Sequence, residues 1–424
     1  MKVAVVGLGQ IGLPLAVQYA SRGHTVTGCD VDPDVVAAVN GGRPPHPGEA
    51  EVDERLPQLV ADGLLTATTD DRDGVAGADV VVVIVPVAVD AERQVDFGAI
   101  DAATREVGSG IGSGTLVIFE TTLPVGTTRD RLAPLLARAS GLTPERDLFV
   151  AFSPERVLVG RVLADLRRYP KVVAGIGPES TARARAFYEA ALDPGTEIRV
   201  VSSTEAAEMT KLAETTYRDV NIALANEYAR YAAERGIDVI EVIDAANSQP
   251  YSHVHRPGVG VGGHCIPVYP YFLFADSPDM QLPRVARQVN DGMAQWAVAA
   301  AERSLGSLRD QPVLVLGVAY RGDVREDAFS SAYALRDALH VAGARVHGHD
   351  PHYTDEELAA RRFVPWQLDA GTQIKAAFLQ ADHAAYRDLD LGGIPGLELV
   401  IDGRNALDPA AVRAAGVQYV GIGR

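Results

Sequence analysis

The chain has 424 residues, 47% hydrophobic and 22% charged, with a formal net charge of -17. This length and composition predict a soluble globular protein of two or three domains. The acidic balance disfavours a nucleic-acid-binding protein, and no run reaches the ~18 apolar residues that a membrane helix needs. Because the chain starts directly in an apolar strand and has two cysteines, we expect a cytoplasmic protein without a disulfide framework.

The first 200 residues alternate between apolar runs and helical stretches. A strand is predicted at 2–6, a helix from Gly12 to about Arg22, and a second strand ending at Asp30. The acidic stretch 46–54 is predicted to be a loop. This alternation predicts a parallel, doubly wound sheet. Further strands are predicted at 79–85, 115–119, 147–152 and 171–175.

From Ser202 the pattern changes to helix. Ser202 and Glu205 have the spacing of a capping box, and the helical run continues to about Arg235, where Gly236 ends it. At 1.5 Å per residue this helix would be ~50 Å long, a length typical of a helix that links domains or packs against a partner subunit. More helix is predicted at 238–246 and 283–305.

A second strand–turn–helix pattern begins at 312–318, and the strand that ends at Asp350 mirrors the one that ends at Asp30. The sequence therefore predicts an α/β protein with two Rossmann-like doubly wound domains joined by a central helical segment. The predicted domains are 1–200, 201–305 and 306–424.

The glycine run Gly7-Leu8-Gly9-Gln10-Ile11-Gly12 follows the first predicted strand and opens the first helix. Such a run provides a tight turn, close approach of a pyrophosphate, and a helix N-terminus that faces the phosphates. An acid at Asp30 would bond the ribose hydroxyls and repel a 2′-phosphate, so the pattern favours NAD over NADP. A glycine-rich turn without a ligand is the alternative.

Cys265 lies in a second glycine-dense run, Gly258 to Pro267. A thiol in such a segment, together with a nicotinamide site, suggests an oxidation through a covalent thiohemiacetal. A small buried hydrophobic residue is an equally good interpretation of a free cysteine.

Three other runs carry candidate groups. Lys211, Thr215 and Arg218 share a helical face, on which a lysine can stabilise an oxyanion, although a solvated face explains the spacing better. Glu155 follows an apolar strand and could relay a proton through water, or could belong to a surface turn. The threonines of 120–128 could contact a cofactor or form ST-turns. The histidines show no spacing typical of a metal site.

These motifs together resemble the UDP-glucose/GDP-mannose dehydrogenase family over essentially the whole chain. YRDVNIALANE and GGHCIPV are most similar to the branch that acts on UDP-N-acetylmannosamine or UDP-N-acetylglucosamine. The motifs that carry the resemblance are VAVVGLGQIGLPLA (3–16), ETTLPVGTT (120–128), SPERV (153–157), TKLAETTYRDVNIALANE (210–227), GVGVGGHCIPV (258–268), GVAYRGDV (317–324) and DGRNALDP (402–409).

The resemblance implies two hydride transfers to NAD, which convert the C6 alcohol of a nucleotide sugar to a uronic acid. Cys265 would be the nucleophile, Lys211 would stabilise the oxyanion and help as acid or base, and Glu155 with Thr122 would order the water. Arg404 would reach the UDP diphosphate across the interface of a homodimer. The implied cofactor contacts are Gly7, Gly9, Gln10, Ile11, Gly12, Asp30, Pro86 and Thr122. The implied nucleotide-sugar contacts are Arg156, Val157, Lys211, Arg218, Gly262, Tyr320, Arg321 and Arg404.

Four positions depart from the family pattern. The Asp four residues after the nucleophile is Tyr269 here, and the Asn four residues after the lysine is Thr215. Ala328 replaces an arginine that contacts NAD, and the VPTP turn reads VPVA at 85–88. Because a phenol titrates near pH ~10, Tyr269 does not supply a base at neutral pH. An alternative function is therefore a two-electron or redox-neutral reaction in a specialised biosynthetic pathway. A non-catalytic nucleotide-sugar binding protein is a third hypothesis, which the retained thiol, lysine and glutamate disfavour.

Overall fold

Two sheets organise the chain, which the computed structural model describes at residues 1–46, 48–90, 92–277, 279–367 and 371–424. The first compact unit is Met1–Glu214 with Tyr271–Asp276, and the second is Thr215–Pro270 with Ser277–Arg424. Among the described residues, no helix is long and apolar enough to cross a membrane. The α/β class and the Rossmann-like halves are confirmed, whereas the domain boundaries at 200 and 305 stay predictions.

The first unit is built on an eight-stranded sheet with the order β10-β9-β8-β7-β4-β1-β2-β3. The four strands at its centre consist almost wholly of buried apolar residues, as expected where helices cover both faces of a sheet. The sheet strands are β1 (Lys2–Val6), β2 (Thr25–Cys29), β3 (Leu65–Thr68), β4 (Val80–Val83), β7 (Leu116–Phe119), β8 (Phe149–Phe152), β9 (Lys171–Gly175) and β10 (Ile198–Val200), and a small hairpin is formed by β5 (Ala88–Val89) and β6 (Val95–Asp96).

The longer helices pack on this sheet through buried apolar residues. In the first helix, for example, all residues from Gly12 to Ala20 are buried. The helices are α1 (Gly12–Ser21), α2 (Pro33–Asn40), α3 (Ala50–Ala61), α4 (Asp71–Gly74), α5 (Gly98–Gly110), α6 (Ala133–Ser140), α7 (Val162–Arg168) and α8 (Pro178–Ala191), with a π-helical turn at Thr128–Leu132.

The second unit contains a six-stranded sheet, parallel throughout, with the order β13-β12-β11-β14-β15-β16. Its strands are β11 (Pro312–Leu316), β12 (Arg345–His349), β13 (Val364–Pro365), β14 (Ala376–Leu379), β15 (Leu399–Asp402) and β16 (Gln418–Gly421). The remaining helices are α9 (Thr204–Ala233), which begins in the first unit and ends in the second, α10 (Val239–Ala246), α11 (Pro270–Asp276), α12 (Leu282–Asp291), α13 (Met293–Leu305), α14 (Ser331–Val341), α15 (Asp355–Ala360) and α16 (Pro409–Ala414), with 3-10 turns at Ala384–Tyr386 and Leu391–Gly393.

Three local predictions are wrong. The stretch 46–54 contains the start of α3, whose first turn holds Glu51 and Asp53, since acidic side chains stabilise a helix N-terminus. Ser203 caps α9 in place of Ser202, with its Oγ accepting the Ala206 N–H at 3.2 Å. The first sheet is not parallel throughout, because β9 pairs with β8 in the antiparallel sense.

The carboxyl ends of four neighbouring strands form the edge that matters for function. In the order β1-β4-β7-β8, these strands are parallel and lead into Gly7, Ile84, Glu120 and Ser153, respectively. Ligands of open α/β sheets bind at this edge. The fold therefore brings the first glycine run and the motifs at 120–128 and 153–157 to one side of the first unit.

Candidate active site

The first glycine run forms a tight turn in which two of the three glycines are required by packing. Gly7 has φ +96°, and a Cβ on Gly12 would lie 1.8 Å from the Gly7 carbonyl oxygen. A Cβ on Gly9, by contrast, would meet no protein atom of the described residues within 4 Å. The space beside Gly9 therefore fits the close approach of a pyrophosphate, as NAD binding requires. Ile11, the N-cap residue of α1, has an apolar side chain that cannot accept the backbone N–H groups of the first turn. Those N–H groups can therefore bind an anion.

Asp30 is held beside this turn. Its Oδ2 accepts the Leu8 N–H at 2.8 Å and its Oδ1 accepts the Asp32 N–H at 3.0 Å. Each carboxylate oxygen keeps a second lone pair, and the residue is partly exposed. The carboxylate is therefore oriented by the backbone and fits the hydroxyls of a ribose.

Asp350 occupies the equivalent strand end in the second sheet but is 2% exposed. Its Oδ2 accepts the Val318 N–H at 2.7 Å and the Ala319 N–H at 3.0 Å, and the same oxygen lies 3.1 Å from Nε2 of His383. Each half thus has an acid at the end of its second strand that accepts backbone N–H groups, but the second acid is buried. The second unit therefore offers no open ribose acid at this position.

The loop after β7 is fixed to α9 by a buried carboxylate. Glu208 accepts the N–H groups of Gly126 and Thr128, at 2.6 and 2.8 Å, and the Thr128 hydroxyl at 2.6 Å. Thr122, in the same loop, is 5% exposed, and Pro86 lies exposed in the turn after β4. The loop that carries Thr122 is therefore anchored at its far end.

Glu155 and Lys211 contact each other through the glutamate main chain. Lys211 Nζ donates to the Glu155 carbonyl oxygen at 2.6 Å. The Glu155 Oε1 accepts the backbone N–H groups of Arg156, at 2.6 Å, and Val157, at 3.2 Å. The Arg156 guanidinium donates to Glu214 at 2.7 Å and to the carbonyl oxygen of Pro170. The structure thus joins the SPERV loop to the lysine of α9.

Two charged residues that sequence reasoning missed complete this region. Lys171 begins β9, and its Nζ lies 2.7 Å from Glu120 Oε2 and 2.8 Å from Glu155 Oε2. The side chains of Lys171 and Glu120 are 5% and 0% exposed. A lysine at the start of an apolar strand, and a glutamate directly after another, were the available signals, since such charges need partners when buried.

The nucleophile candidate lies in the second unit. Cys265 is half-buried and follows a glycine run that packs against another candidate, Tyr320. A Cβ on Gly262 would lie 2.8 Å from the Tyr320 Cβ, and Gly263, at φ +91°, donates its N–H to Ala328 O at 3.0 Å. Glycine is therefore required at 262 because Tyr320 approaches its backbone, and it is favoured at 263 by the positive φ.

Arg404 borders the same run. Its Nε donates to the Gln380 carbonyl at 2.6 Å, and its Nη atoms lie 3.3 Å from Gly260 O and 3.4 Å from Tyr320 O. Arg321 Nε donates to the Tyr320 hydroxyl at 3.0 Å. Arg404 thus lies beside Tyr320 within one chain, and its reach across a dimer interface stays a prediction.

Tyr269 and His264 lie on either side of Cys265 in sequence. The Tyr269 N–H donates to Cys265 O at 3.0 Å, so the phenol stands one helical turn after the thiol. His264 is exposed, with Nε2 3.6 Å from Glu326 Oε2. The imidazole lowers the pKa of the Glu326 carboxyl, because it offers a hydrogen bond to the ionised form.

One group in the second unit has metal-ligand atoms close together, at Asp323, His352 and His383. The Nδ1 of His383 accepts the Asp323 N–H at 2.9 Å, and its Nε2 lies 3.1 Å from Asp350. Because both ring nitrogens of His383 are engaged within the protein, the group has the geometry of a structural hydrogen-bond cluster.

The site residues predicted from the sequence fall into two sets, one in each compact unit. The first unit holds Gly7, Gly9, Gln10, Ile11, Gly12, Asp30, Pro86, Thr122, Glu155, Arg156, Val157 and Lys211, and the second holds Arg218, Gly262, Cys265, Tyr320, Arg321 and Arg404.

Comparison with known proteins covers nearly the whole chain. Residues 1–192 match the NAD binding domain of the UDP-glucose/GDP-mannose dehydrogenase family, 205–292 match its central domain, and 314–409 match its UDP binding domain. The chain is 33% identical to UDP-N-acetyl-D-mannosamine dehydrogenase of Pyrococcus horikoshii, over 100% of this chain and 99% of that protein. The corresponding Salmonella typhimurium enzyme is 38% identical over 87% of each chain.

A solved structure has the same fold over the same length. The UDP-D-ManNAc dehydrogenase of Pyrococcus horikoshii superposes with a TM-score of 0.90 at 32% identity, covering 100% of this chain and 99% of that one. The glycine turn and Asp30 fit the NAD that the matched domain binds. The chain therefore belongs to the UDP-glucose/GDP-mannose dehydrogenase family, whose members are NAD-dependent nucleotide-sugar dehydrogenases.

Proposed function

We propose that this enzyme oxidises the C6 alcohol of a UDP-N-acetylhexosamine to the uronic acid, with Cys265 as the nucleophile. The observation that carries the proposal is the position of Cys265 at the end of a glycine run that Tyr320 and Arg404 border. The names of the relatives, which act on UDP-N-acetyl-D-mannosamine, support this class of sugar.

The proposed reaction has two oxidations and one hydrolysis. The alcohol loses a hydride and a proton to become an aldehyde, and the Cys265 thiolate adds to the aldehyde carbon. The resulting thiohemiacetal loses a second hydride to become a thioester. Water then adds to the thioester carbon, the C–S bond breaks, and the carboxylate leaves with the thiol restored. Bound NAD supplies the hydride acceptor for each oxidation.

The first unit would supply the groups that handle oxyanion and water. Lys211 donates a hydrogen bond to the SPERV loop and would stabilise the alkoxide that forms on the substrate. Glu155 and Thr122 would order the attacking water. Gly7, Gly9, Gly12 and Asp30 would hold the cofactor, together with Gln10, Ile11 and Pro86.

The second unit would bind the nucleotide. Arg321 and Arg404 are cations that suit a diphosphate, and both contact Tyr320, which packs against Gly262. Arg218, on α9, would contact the sugar nucleotide, as would the first-unit residues Arg156 and Val157. The NAD-contacting arginine of the family has no counterpart at Ala328, so we expect weaker NAD binding than in relatives that retain it.

The test is NADH production with product mass on UDP-N-acetylmannosamine, UDP-N-acetylglucosamine, UDP-glucose and GDP-mannose. We expect two NADH and one uronate per sugar on a UDP-N-acetylhexosamine. Cys265→Ala should abolish acid formation while NAD binding stays unchanged, with Cys29→Ala as the matched control. Acid formation by Cys265→Ala at the wild-type rate would overturn the mechanism.

A homodimer is also proposed. Four large side chains lie on one face of α9 and are exposed, namely Tyr217 (53%), Leu224 (41%), Tyr228 (45%) and Tyr231 (58%). Their spacing of 7, 4 and 3 residues keeps them on one stripe, and such a stripe marks an interface. We expect a dimer by light scattering and a monomer for Leu224→Glu/Tyr228→Glu; a monomeric wild type would contradict the proposal.

We further propose cytoplasmic location, since Cys265 must stay reduced, and a role in polysaccharide biosynthesis, for which uronic-acid sugar nucleotides are precursors. The proposed domains are 1–200 for NAD, 201–305 for the helical centre and 306–424 for UDP.

A further inference from the structure

A buried charge cluster lies behind Glu155. The Lys171 ammonium contacts both Glu155 and Glu120, at 2.8 and 2.7 Å. The hydroxyls of Tyr19 and Tyr188 donate to the other Glu120 oxygen, at 3.1 and 2.7 Å. The cluster therefore holds two carboxylates and one ammonium with almost no solvent.

The two carboxylates have different partners. Glu155 accepts two backbone N–H groups in addition to Lys171, and dipoles of this kind favour the ionised form. The Oε1 of Glu120 accepts neutral phenols instead. Since a single cation cannot offset two buried negative charges, the excess proton belongs on Glu120 and the negative charge on Glu155.

The titration behaviour follows this division. Burial raises the pKa of Glu120 to about 7, although the Lys171 charge opposes the shift. Burial also raises the pKa of Glu155, but the charge and hydrogen bond of Lys171 outweigh it and leave that pKa below its ordinary value. Burial lowers the pKa of Lys171, yet the two glutamates together raise it above its ordinary value.

We propose that Lys171 and Glu120 are positioning residues that keep the Glu155 carboxylate ionised and turned toward its water. This inference rests on the proposed function, in which Glu155 orders the water that hydrolyses the thioester. The positive charge of Lys171 stabilises the ionised form of Glu155. Glu120 competes for the same ammonium and so determines how strongly Lys171 stabilises Glu155.

Other charged groups around Glu155 are engaged elsewhere. Lys211 donates to the Glu155 carbonyl oxygen, at 2.6 Å. Arg156 pairs with Glu214 at 2.7 Å, and Asp165, which lines the same small pocket as Glu155, pairs with Arg161 at 2.7 Å. Lys171, by contrast, forms an ion pair with the Glu155 carboxylate itself, at 2.8 Å.

An ionised Glu155 is needed because water must donate a hydrogen bond to it before attacking the thioester carbon. In that step the C–O bond forms, the C–S bond breaks, and a proton of the water passes toward the carboxylate. A protonated Glu155 would present an O–H donor to the water and could not take up its proton.

The experiment uses two variants with opposite expected effects. Lys171→Met removes the cation, so the acidic limb of the kcat–pH profile should move up by about one unit. Glu120→Gln removes the competing carboxylate, so the limb should move down by a similar amount. Two shifts of opposite sign are not expected from structural damage, which would lower activity at every pH.

A second readout separates hydrolysis from hydride transfer. Both oxidations precede the hydrolysis, so Lys171→Met should retain a burst of two NADH per active site while its steady-state rate falls about 10–100-fold. Lys171→Arg should restore most of the rate, because a guanidinium can donate to both carboxylates. Lys375→Met and Glu398→Gln break an exposed ion pair and serve as controls that should leave both readouts unchanged.

The outcomes distinguish the two proposals. If Cys265→Ala still forms acid, the proposed function fails, whatever the behaviour of Lys171. If Cys265→Ala is inactive but both cluster variants keep the wild-type pH profile, the positioning role is wrong. If Lys171→Met is unfolded, the sign of the Glu120→Gln shift decides: a downward shift supports the proposal, and an upward shift or none overturns it.

Discussion

Lys211 Nζ donates a hydrogen bond to the main-chain oxygen of Glu155, at 2.6 Å. The Glu155 carboxylate forms an ion pair with Lys171, at 2.8 Å. Two lysines thus serve two different oxygen groups of one residue. Lys211 lies one turn after Glu208, which fixes the loop at 126–128. A single helix therefore sets the position of both the lysine and the loop that carries Thr122.

Replacement of Lys211 should affect catalysis more than binding. We expect Lys211→Met to lower kcat by about 10²–10³-fold, as for loss of one group that stabilises an oxyanion, with little change in the KM for NAD. Lys375→Met is the matched control. A fall in kcat/KM for NAD together with a fall in thermal stability would instead indicate a structural role.

Substitutions in the glycine turn test the cofactor site. Gly9→Ala should leave the unfolding midpoint unchanged, because its Cβ meets no described atom within 4 Å, yet weaken NAD binding by about tenfold or more. Gly12→Ala should lower the midpoint, since its Cβ would lie 1.8 Å from Gly7 O. Gly112→Ala, equally open, should change neither quantity. Calorimetry with NAD measures the affinity, and thermal melts measure the midpoint. An unaltered NAD affinity in Gly9→Ala would show that the cofactor does not bind beside Gly9.

The two thiols should react differently with iodoacetamide. Cys29 is 0% exposed, and burial raises the pKa of its thiol to about 12, while Cys265 is half-buried. We expect one modified thiol in the native protein, identified as Cys265 by mass spectrometry, and two in urea. Prior modification should abolish acid formation. Modification of Cys29 before Cys265 would contradict the structure.

The departures at Tyr269 and Thr215 can be reversed together. We expect Tyr269→Asp/Thr215→Asn to raise the steady-state rate of acid formation several-fold while the yield stays at two NADH per sugar. The reason is that a carboxylate one turn after Cys265 can act as a base at neutral pH, unlike a phenol. If the wild type instead yields one NADH and an aldehyde, and the double variant yields the acid, the two-electron alternative describes the natural enzyme.

Stability should depend on pH through Glu120. Its raised pKa, about 7 against 4.5 for an ordinary glutamate, means that the folded chain binds more protons than the unfolded chain between these values. The free energy of unfolding therefore falls as pH rises through that window. Glu120→Gln should remove part of this fall, on the order of 1–3 kcal/mol between about pH 5 and about pH 8.

Urea unfolding of the wild type, Glu120→Gln and the control Glu398→Gln at both pH values makes the comparison. Part of the fall should persist in Glu120→Gln, because burial also raises the pKa of Glu208 to about 7 and that of Asp71 to about 6. If the free energy of unfolding changes equally with pH in the wild type and in Glu120→Gln, Glu120 is ionised across the whole pH range measured.

Elements with strong patterns were predictable from the sequence. The strand at 2–6, the strand at 171–175 and the helix near 238–246 lie at Lys2–Val6, Lys171–Gly175 and Val239–Ala246, because continuous apolar runs and clear end signals leave few alternatives. The helical stretch predicted at 283–305 is also helical and consists of two helices, α12 and α13, with Gly292 between them. Periodicity alone does not show such a break.

The charge cluster could not be predicted, because its members come from three separate strands. Glu120, Glu155 and Lys171 follow or begin β7, β8 and β9, and their contact depends on the order of those strands in the sheet. The same holds for Arg404 and Gly260, which are 144 positions apart in the sequence. Pairing of this kind is a property of topology, and a local pattern carries no record of it.

The enclosed state of Asp350 has a consequence for the order of events. The proposed reaction consumes two molecules of NAD for each sugar, yet the described residues present one open strand-end acid beside a glycine turn, Asp30. Reduced cofactor must therefore depart and be replaced midway, while the half-oxidised sugar remains. A bond to Cys265 would keep that intermediate from escaping during the exchange, so the thiol would serve retention as well as chemistry.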